Sequence, residues 1–277
     1  MTISVVDAAS VDPAPAKNRG TTDRQRRRAI QGYIFLSPWL LGFFLFTFIP
    51  TLASIVLSFT KYSTMRPPEF AGLLNYKTAF SGTDQLVWPS FGHTFYYAVA
   101  SVPLSLTGSL LLAVLLNQKL KATAMWRTFF FLPTLTPTVA SAYIWRWILN
   151  PDIGLLNHAL GLAGLPAPRW FGSMHWVIPG LILVSLWGSM GGSSMIIFLA
   201  GLQGVPVELI EAAEIDGAGT WRKFWSITLP MLSPVIFFNM IIGIIGALRV
   251  FDLAFIATSG GPANASRFIS LHIYEMA

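Results

Sequence analysis

The sequence predicts an all-α integral membrane protein, a polytopic helical bundle. Three observations carry that prediction. Hydrophobic residues make up 54% of the 277 and charged residues only 11%, where a soluble domain carries roughly 25% charged. Mean hydropathy is +0.61. Apolar runs of ~20 residues recur along the chain, the length that crosses a ~30 Å hydrocarbon core at ~1.5 Å per residue. A β-barrel would show short alternating segments instead. There is no cysteine, which excludes disulfides, thiolate metal sites and cysteine nucleophiles.

Residues 1–29 are polar and contain Arg24-Gln25-Arg26-Arg27-Arg28. They lack the apolar centre and cleavage site of a signal peptide. A disordered basic tail on the cytoplasmic side is expected there, not a nucleic-acid arm. The first transmembrane helix is expected at 30–60, around the apolar run Tyr33–Phe59, with an extracytoplasmic loop over 61–93. Further spans are expected at Thr94–Leu116, Phe129–Leu149, Trp176–Leu202 and Leu232–Ile256, within a core domain covering 94–277. The ending Leu271–Ala277 reads as the first turns of another helix. The expected architecture is five full spans plus the start of a sixth. Residues 60–92 and 150–175, rich in Pro, Gly, Trp and Asn, read as ordered outer loops with short interfacial helices. Trp147, Trp170 and Trp176 suit an aromatic belt.

Lys and Arg in the loops set the orientation. With the N-terminus inside, six basic residues of the tail join Lys119, Lys121, Arg127, Arg222 and Lys223 on the inner side, eleven in all. The outer side holds five: Lys61, Arg66, Lys77, Arg169 and Arg267. The N-terminus is therefore expected in the cytoplasm, and so is the loop at 203–230.

That loop holds four of the twelve carboxylates, Glu208, Glu211, Glu214 and Asp216. Pro206 suits the first position of a helix. Acids in its first turns suit the dipole, and Gly217 sits where a helix stops. Thr220 is a candidate cap for a second short helix. The stretch reads as a compact knob with a smooth Ala212–Ala213 side. Acids in the first turns of a solvated helix lack the cleft a catalytic carboxylate pair needs and the converging oxygens of a hard-cation loop. Docking to a cytoplasmic partner fits better. The chain has no G-x-x-x-x-G-K-[ST] phosphate loop and no HExxH, so neither a catalytic group nor a resident metal or cofactor is expected. Its four histidines, His93, His158, His175 and His272, are scattered and read as solvated. The glycines of Gly188–Ser194 read as points of close helix packing.

The spacing Glu211-Ala212-Ala213, then Gly217, then Ile227-x-Leu229-Pro230 resembles the EAA loop of permease subunits of bacterial ABC importers, with every signature position filled. The run Tyr33–Tyr62 resembles the first span of the maltose/glycerol-phosphate type of carbohydrate permease. Leu248–Pro262 resembles the end of its fifth span and the outer T-x-G-G-P loop. The resemblance covers nearly everything from residue 30 onward. It implies the type I ABC importer permease fold and the bacterial inner membrane. It also implies a second permease subunit, a dimer of ATPase subunits that hold ATP and Mg, an extracytoplasmic solute-binding protein and a sugar or oligosaccharide substrate. Surrounding membrane lipid and no nucleic acid complete the expected environment. Carried over residue by residue, Glu211, Ala212, Ala213, Asp216 and Gly217 would enter a cleft on the ATPase. The family has at least six spans, so a sixth is expected and the sequence reads as a truncated one.

For the sugar path, polar and aromatic groups within the spans are the candidates. Similar permeases place sugar contacts in the L-P-x-x-x-P region, here Thr134 and Thr138, with Thr136 a further hydroxyl. Ser185, Trp187 and Gly188 follow in the fourth span, and Asn239, Arg249 and Asp252 in the fifth. Back-bonded hydroxyls and a structural Arg249–Asp252 ion pair are the competing readings. Two other classes stand beside the importer: an ion-gradient-driven secondary transporter and a membrane scaffold. The former expects acids inside spans, and Asp252 alone qualifies.

Overall fold

A computed structural model describes residues 23–63, 66–118 and 121–276. The expected basic tail lies outside the described residues up to position 22. The chain forms two compact units that divide between Lys77 and Thr78.

In the first unit, α1 (Asp23–Phe43), a π-helical segment (Phe44–Phe48) and α2 (Ile49–Leu57) run on as one helix. Helix therefore begins ahead of the residue-30 boundary suggested by the sequence. Gln25–Leu57 is 33 residues long, and its most apolar 18-residue stretch has mean hydropathy 2.3 and is entirely unburied. Apolar side chains all round a helix need lipid or another chain to cover them. The π segment just precedes Pro50. Proline lacks an N–H and presses on the carbonyl four residues back, and a wider turn there relieves the clash. An antiparallel hairpin follows, β1 (Thr60–Ser63) with β2 (Arg66–Phe70), in the register Thr60↔Phe70 and Lys61↔Glu69. The sequence suggests only short helices here. Asn75, at the start of α3 (Leu74–Phe80), donates to the carbonyls of Ser58 and Thr60 at 2.8 and 2.9 Å. Those bonds tie the helix end to the hairpin.

The second unit is built around α4 (Val87–Leu116), which packs against α8 (Val177–Ser189), α9 (Ser193–Gln203), α13 (Ser233–Leu248) and α15 (Ile269–Met276). Lipid tails are as apolar as leucine, so close packing rather than water exclusion holds such helices together. A Cβ on Gly108 would sit 2.6 Å from Met190 Sδ, so the glycine leaves room for the Met190 side chain where α4 meets the end of α8.

The expected spans prove more broken than their hydropathy suggests. Phe129–Leu149 is not one helix. It is the end of α5 (Thr123–Phe131), a 3-10 turn (Leu132–Leu135), an extended residue at Thr136 and α6 (Thr138–Ile148). Pro137 forces that break, because its ring disfavours helix at the preceding residue. Trp176–Leu202 bends by 50° between α8 and α9. At that bend a Cβ on Gly191 would lie 1.9 Å from the Phe130 carbonyl oxygen. Leu232–Ile256 stops at Leu248 and resumes as α14 (Asp252–Thr258). Among the described residues, two helices are long and apolar enough to cross a membrane, or four if each bent pair is one span. The breaks lie within the stretches expected as spans.

The residues expected in outer loops are better packed than the sequence suggests. Trp170 is buried, donates its indole N–H to Asn157 at 2.8 Å and meets Trp176 edge-on at 5.4 Å. It is thus a core residue of the loop around α7 (Leu155–Leu162), not a belt residue. His272 is also buried, against the expectation of a solvated ring, and lies 2.9 Å from Asp84. The Leu86 N–H, then the neighbouring His272 and Arg267, hold the Asp84 carboxyl below its ordinary range. Thr94 on α4 accepts the N–H of Ile269 at 2.9 Å. These bonds fasten α15 to the start of α4.

Candidate functional site

Two parts of the second unit carry the expected residues. The first is a helix–turn–helix. α10 (Val207–Ile215) starts after Pro206, which is its cap and not its first helical residue. Glu208 occupies the first turn, where a carboxylate meets the positive end of the helix. The far end is closed by its own backbone. Gly217 takes φ +75°, its N–H bonds the Glu214 carbonyl at 3.0 Å, and the Ala218 N–H bonds the Ala213 carbonyl at 2.8 Å. This is the double-bonded glycine cap of a sharp helix stop. α11 (Thr220–Lys223) follows, capped by Gly219; Thr220, expected as the cap, is the first helical residue and makes no capping bond. A second π segment (Phe224–Thr228) and α12 (Leu229–Met231) continue to Pro230 and then turn 65° into α13.

Lys223 pairs with Glu214 across the turn. Glu208, Glu211 and Asp216 are left exposed, with Ala212 beside them. Ile215, at the tip, is 87% exposed, and Val207, Leu209 and Trp221 are exposed around it. A rigid helix with an apolar tip and an acidic flank is a surface to be covered, not a cleft for chemistry. Among the described residues, no three His, Asp or Glu side chains gather as metal ligands would.

The second part is a cavity of about 400 Å³. Its walls come from α4, the Leu132–Thr138 break, the end of α8 and the Arg249–Asp252 break. Seven of the eight candidate pathway residues line it: Thr134, Thr138, Ser185, Trp187, Gly188, Arg249 and Asp252. Trp187 stands edge-on to Trp145 at 5.9 Å, with 40% of its surface exposed. The Thr134 hydroxyl donates to the Gly188 carbonyl at 2.9 Å. It therefore bridges two segments rather than bonding back within its own. Ser185 bonds back to Ile182, which leaves its oxygen able to accept. Arg249 and Asp252 do not share a helical face, since helix stops between them, and no ion pair joins them. The structural pair is thus absent, and both side chains border the cavity unpaired.

Asn239 is the exception. It is buried, donates to the Val235 carbonyl at 3.0 Å, and lines a neighbouring space of about 240 Å³. Tyr97, Ser185 and Ser189 border both spaces. The sequence reading missed Tyr97, Ser141 and Ser189, and on α4 also Ser101 and Ser105. A signal existed. Tyr97, Ser101, Ser105 and Ser109 recur every four residues, a polar stripe along a mainly apolar helix. Ser105 donates to the Ser189 hydroxyl at 2.9 Å.

Residues 105–275 match the family described as binding-protein-dependent transport system inner membrane component. The chain is 41% identical to a probable ABC transporter permease protein of Bacillus subtilis, YesP, over 91% of this chain and 82% of that one. It is 34% identical to the trehalose/maltose transport system permease protein MalF of Thermococcus litoralis, over 92% and 85%. Among solved structures, a chain of a bacterial alginate ABC transporter, determined in complex with a pentasaccharide-bound periplasmic protein, superposes with a TM-score of 0.77 at 22% identity. That alignment spans 93% of this chain and 86% of the other. None of these similarities is to an ion-gradient-driven carrier. The chain belongs to the binding-protein-dependent transport system inner membrane components, the permease subunits of ABC importers.

Proposed function

We propose that the chain forms one half of the path by which an ATP-driven importer moves a sugar or oligosaccharide inward across the bacterial inner membrane. One observation carries the reading. The Leu132–Thr138 break, the Gly188 end of α8 and the Arg249–Asp252 break all border one cavity. Non-helical backbone at membrane depth is tolerated where it lines a cavity, and transporters build substrate sites from discontinuous helices. The chemistry of the walls suits a sugar. Thr136, Thr138, Ser141 and Ser185 offer hydroxyls, and Trp187 offers an aromatic face for a pyranose. Unpaired Arg249 and Asp252 supply a donor and an acceptor for sugar hydroxyls. The trehalose/maltose relative supports the same substrate class.

Coupling belongs to Glu211, Ala212, Ala213, Asp216 and Gly217. In this reading α10 and its turn dock on a separate ATPase dimer that holds ATP and Mg, and the chain itself catalyses nothing. A second permease subunit completes the path, and an extracytoplasmic binding protein delivers the sugar. The basic tail and the α10 loop face the cytoplasm, by the distribution of Lys and Arg.

Reconstitution of the chain with its copurifying subunits in proteoliposomes tests the reading. Uptake of labelled maltose or trehalose is expected to require ATP and to survive a protonophore. Uptake that ignores ATP and collapses with the proton gradient would overturn it.

A further inference from the structure

At the end of α4, where the chain turns into α5, lies a third space, of about 330 Å³. Its lining is Leu115, Leu116, Lys121, Trp126 and Phe130. Apart from one ammonium group and one indole, those walls are hydrocarbon and phenyl. Arg127 follows Trp126 on α5, and its Nε is buried without a hydrogen-bond partner. Neither Lys121 nor Arg127 joins an ion pair with a described carboxylate. The sequence has no Asp or Glu between Asp84 and Asp152, so this stretch carries no countercharge of its own. Ala122, the cap residue of α5, makes no side-chain bond, and the first turn holds no acid, so no carboxylate within α5 answers the positive end of its dipole.

We propose that this space binds an anionic phospholipid, with the headgroup phosphate against Lys121 and Arg127 and an acyl segment against Leu115, Leu116 and Phe130. Each part of the lining selects for part of that ligand. A free phosphate or nucleotide has no use for the apolar walls. A zwitterionic lipid already carries the cation that the two basic side chains supply. Trp126 has the amphipathic ring that settles at the headgroup boundary. Basic pockets between membrane helices are a recurrent form of anionic-lipid site. The position also matters for the rest of the molecule. Phe130 lines this space, while its carbonyl lies where a Cβ of Gly191 would be. A lipid seated here touches the residue on which the α8–α9 bend rests.

The test is lipid retention by the purified full chain in detergent, counted by native mass spectrometry. Phosphatidylglycerol, phosphatidylcholine and inorganic phosphate form three arms. Phosphatidylglycerol is expected to be retained at least fivefold more tightly than phosphatidylcholine, and phosphate is expected not to displace it. Lys121→Gln should weaken phosphatidylglycerol about fivefold, the effect of one basic residue at a membrane surface. Arg127→Gln should do the same, and Arg127→Lys should restore binding. If Arg127→Gln does not fold, Lys121→Gln decides, since Lys121 is exposed. Equal retention of both lipids, or a folded Lys121→Gln that keeps phosphatidylglycerol, overturns the proposal. So does a Lys121→Gln variant that loses a copurifying subunit while keeping the lipid, which would assign the surface to a protein.

Discussion

The α10 turn and the polar cavity are built in opposite ways. The turn is local. Pro206, Glu208, Glu214, Gly217 and Lys223 supply its cap, dipole partner, stop and ion pair within eighteen residues, and its tip faces away from the chain. The cavity is convergent. Its polar groups come from positions as far apart as Tyr97 and Asp252, and most of them stand where a helix has been interrupted. A turn with an exposed tip is free to be self-contained. A polar cavity inside a helical bundle is not, because every regular helix spends its backbone polar groups on itself. Breaks are what release polar groups into the space.

That contrast is breakable by mutation, and the largest effect belongs to a break. Gly191→Val places a Cβ where the Phe130 carbonyl oxygen stands. A clash with backbone is not relieved by a rotamer change, so a loss of about 3 kcal/mol or more is expected. Detergent melting should show it, with uptake lost as well. Gly188→Ala, where nothing lies within 4 Å, should melt like the parent. The turn comes next. Gly217→Val forces a β-branched residue to positive φ, at about 1–2 kcal/mol. Copurification of the ATPase should fall sharply, whereas Gly217→Asn, which tolerates that conformation, should retain it. Should the valine variant hold the ATPase normally, the coupling role of the turn fails.

A third prediction separates recognition from architecture. Trp187→Ala should raise the KM for sugar uptake about tenfold, the scale of one lost aromatic contact of ~1.5 kcal/mol, with ATPase copurification unchanged. A change in ATPase binding instead would mean that the cavity wall and the turn are not separable. The smallest effect is expected at Lys223. Its partner Glu214 is solvent-exposed, and exposed pairs contribute ~0.5 kcal/mol. Lys223→Ala should therefore shift the melting temperature by only a degree or two in a protein of this size.

The same contrast explains what was legible in the sequence. Gly217 and the acids were readable because a capped helix is a short-range object whose parts lie at fixed offsets. The order of apolar segments was readable from hydropathy. The bend angles were not, since 50° and 65° turns leave hydropathy unchanged, although Pro133 and Pro137 marked one break and Pro230 and Pro234 flank another. Seven of the residues that line the cavity were legible by asking which polar groups sit in apolar runs. Tyr97 and Ser189 escaped because their importance depends on the facing helix. The Arg249–Asp252 pair failed for a related reason: spacing implied a shared face only if the helix continued, and it stops at Leu248. His272 was misjudged because its partner, Asp84, lies 188 residues away.

The contact between Gly191 and the Phe130 carbonyl has a mechanical meaning. Two broken segments that touch through bare backbone have no soft side chain between them to absorb a displacement. They behave as meshed teeth, so a shift of the Leu132–Thr138 segment must carry the α8–α9 bend with it, and the Thr134–Gly188 hydrogen bond locks the same gearing from the cavity side. The wall at Arg249–Asp252 is drawn into the same gearing, because α14 packs against α6 and α8. A displacement at any one of the three breaks is thus passed to the other two.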